Sequence, residues 1–455
     1  MADIAERPID PVYPFNEPGQ PIPLYQGPIG GLSESGHTGT VDFNCSPKPG
    51  IAWKLNSRET FYSHVSEEVT LLLHRENGDM KLPAWVRGGS DGWSNGGEFG
   101  EPDARISRVL AHWFNLPNWI GPVALSMVKG DGYQHVWRGR WTFNIADWRI
   151  TFDARPDHSK IWRELHESRV FVMTHVMEMK RTDGTSFSPA EAKKVLSALH
   201  MGLSFALGRF VAPMLPVGLD IDGARVWESW RASFCDPARS INAGWWYYQD
   251  LDSLQNLLAH TVRAFNKSAD YLPLRLQLEF AISAIKDEGF VEQRITIGTA
   301  GLEHLTWQEL VLSGRMSKNQ YEGRTPFEGK LLKAHDRLRI LLKDAQVSLS
   351  VDQDLLPAGA RYLAENQGGD ESLDGVDLVT RVRNKITHPQ GNQDAIYRVP
   401  KLVTDVWLMT CHYLSYLILH SLGFSGSARN MMKRTGWAGE VEIVPWNQIS
   451  SETHP

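Results

Sequence analysis

The rhythm of apolar and polar positions changes near residue 240. From about 51 to 150, short alternating runs are separated by Gly, Asp and Asn clusters. Glu68-Val-Thr-Leu-Leu-Leu-His74 and Arg138-Gly-Arg-Trp-Thr-Phe-Asn-Ile145 carry the period and the residue types of strands. Residues 170–179 read as another strand. Ser188-Pro-Ala-Glu191 reads as a helix start, with Ser188 as cap, Pro189 in the first helical position and Glu191 reaching back. That helix runs through Leu196, Leu199, Leu203 and Leu207 and stops at Gly208. Residues 210–226, with Pro213, Pro216 and Gly218, are extended again. After Trp246 apolar residues recur at helical spacing, over 251–265, 272–285, 291–312, 327–342 and from Leu402 onward. The fourth of these leans on Leu331, Leu332, Leu338 and Leu341.

This pattern predicts an α+β chain. Residues 1–50, rich in Pro and Gly, read as an extended arm. Residues 51–240 form a β-rich module, 245–446 a helical domain and 447–455 a tail. The boundary falls in 236–244, which carries Pro237, Asn242 and Gly244. A length of 455 residues agrees with two or three domains. Tryptophan marks the same boundary, since 13 of the 17 lie at or before Trp246.

Charge narrows the partners. The net charge is -6, from 47 basic and 53 acidic residues, and neither half is a polycation. Indiscriminate coating of DNA is therefore not expected, while a local basic site for RNA remains open. Cys45, Cys235 and Cys411 lie far apart without CxxC spacing, so free thiols are expected rather than a zinc ribbon or disulfides. The first 15 residues lack the basic and apolar regions of a signal peptide, and a cytoplasmic protein is expected. Residues 402–422 are apolar but contain Asp405, His412 and His420, which predicts a buried helix rather than a membrane span. The glycine-rich 88–100 has neither P-loop nor GxGxxG spacing and reads as a turn or surface loop.

The stretch 373–389, LDGVDLVTRVRNKITHP, carries the candidate chemistry. Val376, Leu378, Val379, Val382 and Ile386 make an apolar helical face. A residue before proline is pushed out of the helical region, so His388 should stand at the helix end. Arg383 lies in the last turn or so, about 140° around a regular helix from His388. A guanidinium is a fork for phosphate oxygens, an imidazole moves protons near neutrality, and Asn384 can orient either. The spacing alone is unspecific, because Arg58/His64 and Arg169/His175 share it. The alternative is a helix-end arginine with a capping histidine.

Arg383-Asn384-Lys-Ile-Thr-His388 resembles the RNxxxH motif of the HEPN superfamily, an all-helical family with many metal-independent ribonucleases. Gly301-Leu302-Glu303-His-Leu305 looks like its upstream apolar-Glu helix. The tail Leu422-Gly423-Phe424-Ser-Gly426, followed by Val444-Pro445-Trp446, is similar to bacterial HEPN proteins with a β-rich N-terminal region. The likeness covers about 245–446. It implies that His388 acts on a ribose 2′-OH, that Arg383 stabilises the phosphorane and that Asn384 holds one of them in place. It further implies RNA as partner, a homodimer with a composite site, no metal or cofactor, and 2′,3′-cyclic phosphate and 5′-OH ends. Toxin relatives controlled by adenylylation carry Tyr two residues after the His; Gln390 stands there in this chain.

The function expected on this basis is a toxin-like or anti-phage ribonuclease, with the β-rich module sensing a trigger or restraining it. The alternatives are a non-catalytic module for nucleotide, RNA or protein, and a β-module ligand-binding protein dimerised by its helical half. Glu303, and less so Glu279, reads as a polar neighbour of the site or as a surface carboxylate. Trp245-Trp246-Tyr247-Tyr248 reads as packing or as a base-stacking platform. Lys433 and Arg434 read as a phosphate grip or a solvated pair.

Overall fold

The structure, a computed structural model, describes residues 5–32, 37–56, 68–75, 78–119, 121–128, 130, 132–238, 243–267, 271–286, 288–367, 372–388, 393–433 and 441–448. The chain divides into two compact units. The first contains residues 1–200 and 210–240, the second 201–209 and 241–455.

The first unit opens with a closed antiparallel barrel. Its strands are β1 (Ile22–Gly30), β2 (His37–Asn44), β3 (Gly50–Leu55), β4 (Glu68–Leu73), β5 (Met80–Gly88) and β6 (Asp91–Ser94), in the order β1-β2-β3-β6-β5-β4. Pairing of Ile29 with Leu73 closes it. Alternation fills the interior: Val41 and Phe43 from β2, Ile51, Trp53 and Leu55 from β3, Met80, Leu82, Ala84 and Val86 from β5 are all buried.

The extended arm expected over residues 1–50 is, in its described residues, partly built into the barrel. β1 and β2 are barrel staves, and Pro23 is tolerated because it sits at a bulge where the ladder is interrupted. Ahead of them Tyr13 donates to Glu228 Oε2 at 2.5 Å, and Asn16 Oδ1 accepts from the Met173 N–H at 2.9 Å. The glycine-rich 88–100 is not a surface loop either; it supplies β6 and β7 (Gly97–Phe99). A Cβ at Gly92 would lie 1.9 Å from the Trp85 carbonyl oxygen, so glycine there permits close strand approach.

The rest of the unit is an eight-stranded antiparallel sheet. It adds β8 (Arg108–Phe114), β9 (Val123–Val128), β10 (Gln134–Ile145), β11 (Trp148–Ala154), β12 (Met173–Arg181), β13 (Ala212–Leu219) and β14 (Arg225–Trp230), in the order β7-β14-β13-β8-β12-β11-β10-β9. The central β13 is buried along its whole length, and Leu110, Met173, Met214 and Val217 share one core with the barrel. Helix α1 (His158–Ser168) precedes β12. Helix α2 (Pro189–Leu207) starts with the expected box, Ser188 N–H donating to Glu191 Oε2 at 2.9 Å and Glu191 N–H to Ser188 Oγ at 3.3 Å.

The second unit takes the last turns of α2 and adds α3 (Leu251–Lys267), α4 (Leu272–Ile285), α5 (Val291–Trp307), α6 (Lys318–Tyr321), α7 (Ala334–Asp344), α8 (Pro357–Glu365), α9 (Gly375–Thr387), α10 (Leu402–Ser421) and α11 (Pro445–Gln448). A π turn, Gln308–Leu312, extends α5. The unit is mostly helical rather than all-α, because Ser427–Arg429 and Val441–Ile443 pair as a hairpin. Helix α7 begins seven residues later than the apolar pattern predicts. Phe327 and Lys330 exchange backbone hydrogen bonds around Glu328 and Gly329, both at positive φ, and this tight turn cannot continue into a helix.

Helices α5 and α10 form the centre, packed on α4, α7 and α9. A Cβ at Gly301 would meet Phe280 and Leu414 within 3 Å, so glycine sets the close crossing of α4, α5 and α10. Helix α10 is long and apolar enough to cross a membrane, yet 83% of its apolar window is buried. Its Asp405 accepts from the Ala358 and Gly359 N–H groups at 2.9 and 3.2 Å, capping α8 from another helix.

Candidate functional site

Helix α9 carries the motif, and its start is fixed first. Asp374 accepts from the Val376 and Asp377 N–H groups at 2.9 and 3.0 Å, a side-chain N-cap. Arg339 of α7 donates to Asp374 at 2.7 and 3.0 Å and to Asp377 at 2.6 Å. Burial alone would raise the Asp374 carboxyl, but Arg339 and the Asp377 N–H hold it below the usual range. This clamp ties α9 to α7. Val376, Leu378, Val379 and Val382 point into the core, as the apolar stripe predicts, and Ile386 is half-buried.

The polar flank of α9 faces a cavity of about 290 Å³. Asp377, Thr380, Arg381, Arg383 and Asn384 line it from α9; Thr299, Leu302, Glu303 and Thr306 from α5; Ala334, His335 and Leu338 from α7. Arg383 contacts both α5 and its own chain neighbour there. Its Nη2 lies 3.1 Å from Glu303 Oε1, and its Nη1 donates to Asn384 Oδ1 at 3.1 Å. Its Nε is buried with no acceptor among the described residues. The guanidinium fork that faces the cavity is therefore its Nη1 and Nη2 edge, whose geometry suits an anion's oxygens.

The structure thus brings Arg383 and Asn384 together and adds Glu303, which the sequence left open. Glu303 is 56% exposed, so the pair is a wet one that an incoming phosphate can displace. Glu279 instead pairs along its own helix with Arg275 at 3.4 Å. His388 stands where the following proline predicts, at the C-cap, with φ −118° and ψ 107° and its N–H donating to the Asn384 carbonyl at 2.9 Å. Its side chain is exposed, and among the described residues it does not line the Arg383 cavity. Pro389, Gln390 and Arg434 lie outside the described residues. Lys433 pairs with Glu442 at 2.5 Å.

His335 is the residue that sequence reasoning missed. It lies outside the motif, and only the packing of α7 against α9 shows it to the cavity. Its Nε2 is 3.8 Å from Asp336 Oδ2. Beyond the cavity, burial lowers the pKa of His304 and raises that of Glu309 at the π turn. Trp245 and Trp246 are fully buried; Trp245 packs on Phe424 at 5.2 Å and Trp246 donates to the Asp250 carbonyl at 2.6 Å. They are packing residues and offer no face to a base. Among the described residues no three His, Cys, Asp or Glu side chains converge to hold a metal ion.

Residues 101–241 match the YopA central domain and residues 273–443 the YopA C-terminal domain. The chain belongs to the YopA family. It is 27% identical over 350 residues to the SPbeta prophage-derived uncharacterized protein YopA of Bacillus subtilis (strain 168), an alignment covering 76% of this chain and 73% of that one. No solved structure matches. Every residue of the cavity wall lies inside the YopA C-terminal domain, whereas the barrel strands β1 to β6 precede both matched domains.

Proposed function

We propose that the YopA C-terminal domain of this chain is a HEPN-type, metal-independent endoribonuclease that works as a homodimer. The observation that carries this reading is the Arg383–Asn384 pair on a cavity wall, with a displaceable carboxylate on Arg383 Nη2. In the reaction Arg383 takes the non-bridging phosphate oxygens and gains strength as charge builds on the phosphorane. Asn384 holds the guanidinium in plane. His388 removes the ribose 2′-OH proton. The products are a 2′,3′-cyclic phosphate and a 5′-OH.

The exposure of His388 outside the Arg383 cavity supports a site completed by a second copy. The relative's name places that protein in a prophage, which supports a toxin-like or anti-phage role for this chain. The first unit then senses a trigger or restrains the nuclease.

The test is expression of the full chain in bacteria beside Arg383→Ala and His388→Ala. The parent should cleave cellular or purified RNA in the presence of EDTA, and each substitution should lower the rate by about 10²-fold or more. Intact RNA with the parent, even under phage infection, rejects the nuclease. RNA binding without cleavage then points to a non-catalytic module.

A further inference from the structure

Transesterification of RNA needs two proton transfers, one from the 2′-OH and one to the departing 5′-oxygen. The RNxxxH motif supplies one imidazole per chain, and that imidazole lies outside the cavity that holds Arg383. The cavity has an imidazole of its own. His335, in the first turn of α7, faces Arg383 and Asn384 of α9 and Glu303 of α5 across about 290 Å³.

We infer that His335 is the general acid of this site, donating to the 5′-oxygen from the same protomer that supplies Arg383. The inference rests on the ribonuclease reading above. Two observations support it. The ring is 31% exposed, open to a ligand yet held by the wall. The Arg339 clamp on Asp374 and Asp377 fixes α7 against α9, so the spacing between His335 and Arg383 is built in. The charged groups around the ring are Asp336 on its own helix, with Lys330 at 2.7 Å and Arg339 at 3.8 Å from that carboxylate, Glu303 on α5, and Asp377, Arg381 and Arg383 on α9.

The step balances without a further reactant. The 2′-oxygen loses its proton to His388 as the O2′–P bond forms. The P–O5′ bond breaks as His335 gives its proton to O5′. Solvent then returns one imidazole to its neutral form and the other to its charged form.

A substrate with sulfur in place of the bridging 5′-oxygen tests this, because a thiolate leaves without a proton. The full-length parent, His335→Ala, His335→Gln and His388→Ala are compared on oxygen and sulfur substrates across pH. On oxygen, both His335 variants should lose about 10²–10⁴-fold in kcat and the fall in rate at high pH. On sulfur they should approach the parent, while His388→Ala stays slow on both. Parental rates on oxygen, or equal losses on the two substrates by variants that melt like the parent, overturn the role of His335. A parent inactive on both substrates instead removes the ribonuclease reading and this inference with it.

Discussion

Two ion pairs in this protein look alike on paper and differ in consequence. Arg383–Glu303 is wet, at 27% and 56% side-chain exposure, while Arg75–Glu228 is dry, with Glu228 fully buried. Glu228 also accepts from Tyr13 at 2.5 Å and from Trp230 Nε1 at 3.2 Å, so its removal strands a cation and two donors. Burial, and then the neighbouring Glu228 carboxylate, push the Tyr13 hydroxyl well above its ordinary range, which keeps it a donor. Glu228→Ala should cost about 3–5 kcal/mol of stability in urea denaturation. Glu303→Gln should stay within about 1 kcal/mol of the parent. A large loss for Glu303→Gln would show that the site pair is structural after all.

Among the helices, α10 shows how a polar residue in an apolar run is used. Asp405 caps α8, whose first N–H groups have no partner within their own helix. Asp405→Ala should cost about 1–3 kcal/mol and speed hydrogen exchange at Ala358 and Gly359, with Asp405→Asn in between. Unchanged exchange at those amides would refute the capping role. The sequence announced this helix by its length and apolarity, and announced α4 and α9 by period and by the Pro that follows His388. It did not announce the partner of Asp405, because the capped residues lie more than forty positions away. The late start of α7 was hidden for a local reason: Leu331 and Leu332 fit a helical period, but the positive φ of Glu328 and Gly329 ends the turn ahead of them. The strands β1 and β2 were hidden by Pro23, Pro28 and the glycines, which signal loops unless a neighbouring stave is known.

At the scale of the whole molecule, buried histidines set the response to acid. In the first unit burial lowers His112 and His158 to about 4 and His175 well below its usual value. Backbone carbonyls of Leu215 and Leu116 hold the neutral rings of His112 and His158, at 2.9 and 3.0 Å. In the second unit burial lowers His412 to about 3. Unfolded, these rings titrate near 6.5. Between the two values the unfolded chain binds the extra protons, so stability is full above about 6.5 and lost as pH falls toward 4. His112 and His158 each contribute on the order of 3 kcal/mol to that loss. Urea midpoints should therefore drop between about pH 7 and about pH 5, with a shallower slope for His112→Gln. A flat profile would mean that the rings gain partners on protonation.

The sequence by itself determined the α+β class, the change of texture near residue 240, and the Arg383-Asn384 element at the end of a helix. These depend on neighbours within a turn or a strand, where period and proline chemistry act directly. The tertiary structure decided what the arginine meets. Glu303 pairs with it from 80 positions earlier in the chain, and His335, 48 positions earlier, lines the same cavity, because Gly301 lets α4, α5 and α10 cross closely and Arg339 clamps α7 to α9. It also decided that His388, the extended cap residue after Thr387, is not among the described residues that line that cavity.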